Sequence, residues 1–178
     1  NSNPYIITKG LEVLSTLDSE TARSFVINKA KQFLQNSQDD FILQESLDAL
    51  LAQDADNILI EQAEKLLNYN SNSYVIQKGL DVLSKAKSKN AEDVLIEHAE
   101  RFLEGNDNPY VIQKCLDVLS EAQDIDAERI LITEAEKLLK NNSNPYVIQK
   151  SLDVLAEANQ KDAEAILLKQ TKMLLETN

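Results

Sequence analysis

Three kinds of side chain in this chain could do chemistry. His98 is the single histidine, Cys115 the single cysteine, and 30 Asp and Glu residues could supply paired carboxylates. A metal centre needs several converging ligands, and no second histidine exists to join His98. A nucleophilic thiolate needs an electropositive setting and usually a base, and the sequence around Cys115 offers neither. Nearly every carboxylate falls at a helix cap or on a polar helical position, so no pair for acid–base work stands out. Gly-rich phosphate loops, a nucleophile elbow and cofactor fingerprints are absent from the sequence. The expectation is a chain with no catalytic residue, no metal and no cofactor.

His98 and Cys115 belong instead to rows of a repeat. The stretch Asn144-Pro145-Tyr146-Val147-Ile148-Gln149-Lys150-Ser151-Leu152-Asp153-Val154-Leu155 occurs five times with variation, the others beginning at Asn3, Asp39, Asn72 and Asn108. Cys115 shares its row with Gly10, Ser46, Gly79 and Ser151, whose common property is small size. That points to close helix approach. His98 shares its row with Lys29, Gln62, Glu134 and Gln170, all polar, which predicts a solvated surface position.

The elements that carry these rows read as helices. Only three Gly and three Pro in 178 residues, with 5% aromatics, favour helix over strand. Each repeat divides into two amphipathic helices, A and B. The A helices start near Asn3, Asp39, Asn72, Asn108 and Asn144, where Asn or Asp can cap free amides and Pro suits the first helical position. The B helices are expected to start after Thr21, Asp54, Asn90, Asp126 and Asp162, each of which precedes an alanine. Apolar triplets such as Ile58-Leu59-Ile60 and Ile130-Leu131-Ile132 follow, and helical periodicity excludes an alternating strand.

Spacing shows which hairpin is rigid. From the first alanine of B to the aromatic of the next A is 19 residues in all four instances, Ala22 to Phe41 through Ala127 to Tyr146. From that aromatic to the alanine within a repeat is 17 in four repeats but 14 in the second. The B–turn–A hairpin is the constant unit.

Read as that hairpin, residues 127–157 resemble a HEAT or HEAT-like repeat, whose second helix carries a Val-Arg-x-x-Ala-x-x-Ala-Leu pattern. Val147 matches the Val, Ser151 the small residue, and Leu155 falls near the terminal Leu, while Ile7, Leu43, Ile76, Ile112 and Ile148 replace the family's Arg. The runner-up is a tetratricopeptide array, to which the repeat length is also suited. The period and the resemblance together imply an all-α, right-handed α-α solenoid of about ten helices in five two-helix repeats. The repeats are about 1–36, 37–69, 70–105, 106–141 and 142–178. Neither Ile6, Ile7 and Leu11 nor Leu167, Leu168 and Leu174 shows a polar capping edit, and another turn could begin at Thr177-Asn178. The expectation is a piece of a longer array, or a chain whose exposed faces associate end to end.

Two surface features suggest binding. The resemblance implies that the A helices line an inner surface, so Gln77, Gln113 and Gln149 with the pairs Lys9–Glu12, Lys78–Asp81, Lys114–Asp117 and Lys150–Asp153 would form a polar ribbon for a protein or peptide. Each pair is spaced for an ion pair along its own helix. The second repeat is the other feature: Glu45 replaces the lysine, and residues 37–69 carry a net charge of −7 against −12 for the chain. Glu45, Asp48, Asp54 and Asp56 are thereby candidates for docking a basic segment. Overall acidity disfavours a nucleic-acid binder, and no apolar run approaches a membrane span. One cysteine fits a reducing compartment such as the cytoplasm. The expected function is a non-catalytic interaction scaffold, with a structural spacer as the alternative and a HEAT-like enzyme behind both.

Overall fold

The computed structural model describes residues 3–158 and 160–177. Among these, ten helices and no strand are found. The A helices are α1 (Pro4–Ser15), α3 (Asp40–Ala52), α5 (Ser73–Lys85), α7 (Pro109–Glu121) and α9 (Pro145–Glu157). The B helices are α2 (Glu20–Asn36), α4 (Asp56–Tyr69), α6 (Lys89–Gly105), α8 (Ile125–Asn141) and α10 (Lys161–Thr177). Asn178, where a further turn was expected to begin, lies outside the described residues.

All five A helices are capped as the sequence predicts. The side-chain oxygens of Asn3, Asp39, Asn72, Asn108 and Asn144 accept the amide two residues on, at 2.8–3.1 Å. A second bond precedes each of the later four. Ser37, Asn70, Asn106 and Asn142 accept the amide of the capping residue itself, at 2.8–3.1 Å. Two short polar side chains thus set the turn from B to A in succession, which explains its constant length.

Four of the B helices, α2, α6, α8 and α10, begin earlier than expected. Ser19 caps α2 through the Ala22 amide, Ser88 accepts the Ala91 amide, and Asp124 caps α8. Thr21, Asn90, Asp126 and Asp162 therefore lie inside the first turn, where the two aspartates favour the helix dipole instead of capping it. Asp54 is also not a cap. Its φ of 47° places it in the left-handed region. The Asp54 amide donates to the Leu51 carbonyl and the Ala55 amide to the Leu50 carbonyl, the bond pair of a Schellman turn closing α3. The shortened connection of the second repeat is made this way, and Ala55, at the N-cap of α4, provides no side-chain cap.

The chain forms two compact units, Asn1–Leu95 and Ile96–Asn178. In the first, α1 packs on α2 and α3, α2 on α3 and α4, α3 on α4 and α5, and α4 on α5. The second follows the same rule: α7 packs on α8 and α9, α8 on α9 and α10, and α9 on α10. Leu47, Leu50, Leu59, Leu67, Leu80 and Leu83 fill the first core, and Leu116, Leu119 and Leu155 are as deeply buried in the second. The small row behaves as expected where a helix precedes it. A Cβ added to Gly79 would stand 2.9 Å from Leu67 Cδ2, and Ser46, Cys115 and Ser151 are fully buried.

Candidate functional site

His98 is a correction. It is 3% exposed, and Gln62, Glu134 and Gln170 of the same row are equally buried, with only Lys29 reaching partly outward. The reason is packing from several sides: α4 is flanked by α2, α3 and α5, so its buried stripe widens to take in Gln62, whereas on α2, flanked by α1, α3 and α4, the long Lys29 stem reaches water from the same row. Lys137 Nζ donates to Glu134, which raises the lysine's pKa and gives that buried carboxylate a partner. His98 lies beside the Phe102 ring, centroids 6.4 Å apart. Burial pushes the Cys115 thiol up to about 12, far from a reactive thiolate.

Two pockets of the second unit lie near turns. One of about 300 Å³ is lined by Gln123, Asp124, Glu128 and Glu157 among others, and one of about 600 Å³ by Glu104, Asp107, Glu134 and Lys137. Neither His98 nor Cys115 lines either pocket. Among the described residues no three His, Cys, Asp or Glu side chains are grouped to hold a metal ion.

The polar ribbon is wired differently from its sequence spacing. Lys9 and Glu12 pair along their own helix as expected, at 2.8 Å. Lys78 instead reaches Asp48 of the preceding A helix at 2.8 Å, and Lys150 likewise pairs with Asp117. Asp81 binds Lys85 at 2.7 Å, and Asp153 is exposed at the equivalent place on α9. The i, i+3 expectation fails because a lysine pointing across the packed A helices finds a carboxylate at less cost than one bent back along its own helix. Gln77 turns its amide to the Ser73 carbonyl at 3.0 Å, while Gln113 and Lys114 are half-buried and Gln149 is exposed.

The acidic repeat is answered in part from outside itself. Lys78 covers Asp48, and Lys87 stands 3.4 Å from Asp54. Glu45 and Asp48 lie within α3, whereas Asp54 belongs to the α3–α4 turn and Asp56 opens α4. Burial and the Asp48 charge raise the pKa of Glu45, with Lys78 acting in the opposite direction.

One row escaped the sequence reading although its signal was plain. Each A helix carries an aromatic at its second position, and these rings face solvent: Tyr5 is 78% exposed, Tyr74 69%, Tyr110 65% and Tyr146 67%, with Phe41 at 40%. Tyr5 and Phe41 stand 5.6 Å apart between centroids. Every aromatic precedes by one helical turn the row of Lys9, Glu45, Lys78, Lys114 and Lys150. The recurrence was visible as a spacing marker, but its exposure depends on how the neighbouring helices pack. No described helix is long and apolar enough to cross a membrane. The chain matches no protein-family model, and no curated protein matches it.

Proposed function

We propose that this chain is a HEAT-like helical-repeat scaffold, a right-handed α-α solenoid of five two-helix repeats, that grips a segment of another protein along its A helices. Within each unit, packing only between near neighbours in sequence supports the repeat layout. So do the recurring two-step turns from B to A. The observation that carries the binding role is the exposed aromatic row. Tyrosine presents a large rigid ring with a polar tip, and Tyr74, Tyr110 and Tyr146 leave most of that surface in water at the same register of successive repeats. Next to it runs a row of four lysines interrupted by Glu45 on α3, so a partner would insert apolar side chains between rings and place a basic residue at α3. The scaffold carries out no catalysis in this reading.

The test uses three baits on source lysate: wild type, a Tyr74→Ala/Tyr110→Ala/Tyr146→Ala variant, and a Glu45→Gln/Asp48→Asn/Asp54→Asn/Asp56→Asn variant. A protein held by wild type and lost from the tyrosine variant supports binding at this face. Additional loss from the acid variant assigns the basic residue to the second repeat. Full retention by the tyrosine variant overturns the reading.

A further inference from the structure

We propose that copies of this chain associate head to tail, the α10 face bearing Leu168 and Leu175 of one copy seating on the α1 face bearing Ile6, Gly10 and Val13 of the next.

The repeat supplies its own template. Leu34, Leu67, Leu103 and Leu139 occupy one register of the B helices, each twelve residues before a small residue of the next A helix, and all are between 2% and 8% exposed. Leu67 shows what they do, its methyl lying over Gly79. Leu175 is the same register in α10 and is 76% exposed. Leu168 likewise corresponds to Ile60 and Ile132, at 4% and 7%, yet is 58% exposed.

The opposite half of the contact is equally bare on α1. Ile42, Val75, Val111 and Val147 are 0–7% exposed, whereas Ile6 in their register is 55% exposed. Ala49, Val82, Val118 and Val154 are 0–5% exposed against 49% for Val13. Between them, Gly10 has nothing within 4 Å of an added Cβ, although Gly79 has Leu67 at 2.9 Å. A slot and the leucine that fits such a slot are therefore both exposed on the one chain.

Charge agrees with this register. Lys78 pairs with Asp48 and Lys150 with Asp117, each one A helix back. The next step of that series joins Lys9 to Asp153 of another copy. Lys9 is exposed and merely folded onto Glu12, and Asp153 is exposed with no ion-pair partner among the described residues. The contact continues an interface already made by α4 with α5 and by α8 with α9. A contact between two different faces is heterologous, so it can add copies in series or close a ring.

Light scattering on the 178-residue chain reads the outcome. Wild type is expected to rise in mass with concentration. Gly10→Gln, which fits the lone helix and keeps helical circular dichroism, is expected to stay at one-chain mass, as is Leu168→Glu/Leu175→Glu. Mixing these two variants leaves one intact face of each kind, so the mixture is expected to stop at two chains. Wild type at one-chain mass at every concentration overturns the proposal, as does either variant associating by itself. Because the tyrosine triple variant retains both faces, its mass is expected to follow wild type even if the binding reading fails.

Discussion

Lys78 Nζ lies 2.8 Å from Asp48 Oδ2, a carboxylate thirty residues back on the adjacent A helix, although Asp81 sits one turn away on its own helix. The two side chains are 25% and 41% exposed, so the pair is partly screened. A double-mutant cycle with Lys78→Met and Asp48→Asn is expected to give a coupling of about 0.2–1 kcal/mol in urea unfolding, falling with added salt. The same cycle with Asp81→Asn in place of Asp48→Asn is expected to give none. Equal coupling to both carboxylates would contradict the inter-helix wiring.

Asp54 adopts the left-handed conformation that glycine tolerates best. Asp54→Gly is expected to stabilise the first unit by about 0.5–1 kcal/mol, despite removing the exposed contact to Lys87. Asp54→Val, β-branched at the same φ, is expected to lower Tm. Thermal melts of the three proteins decide it.

The small row separates a filled slot from an empty one. Gly79→Leu must displace Leu67 from a packed core and is expected to cost about 1–3 kcal/mol. Gly10→Ala meets nothing within 4 Å and is expected to gain about 0.5–1 kcal/mol from helix propensity. Both values can be read by denaturant unfolding at a chain concentration too low for association.

Glu45 tests the acidic repeat through pH. Its folded-state pKa is raised, chiefly by burial and then by Asp48, so folding favours the protonated form. The sign follows: the penalty is complete above the raised value, shrinks as pH falls through it, and is gone below the ordinary glutamate value. Glu45→Gln is therefore expected to raise Tm at neutral pH and to match wild type in acid. A Tm difference that grows toward low pH would reverse the assignment.

Much of the architecture was legible because its causes are local. An asparagine that caps its own helix acts over two or three residues, and an apolar stripe shows its period within one helix. The constant spacing from Ala55 to Tyr74 likewise reflected a turn built by Asn70 and Asn72, adjacent in sequence. Start points of α2, α6 and α8 were misplaced because Ser19, Ser88 and Asp124 compete for the cap with good capping residues two positions later. Nothing local separates such rivals. The aromatic row could be counted from the sequence, yet its availability could not.

By itself, the sequence determined ten amphipathic helices, the A-helix caps and the small positions where helices approach, since each rests on the chemistry of a few neighbouring residues. The tertiary structure alone decided that His98 and Gln62 are buried, that Lys78 belongs to Asp48, and that Asp54 turns left-handed. It also decided that Tyr74, Ile6 and Leu175 face solvent. Burial and pairing depend on what covers a helix from elsewhere in the chain, and a side chain's own sequence neighbours do not carry that information.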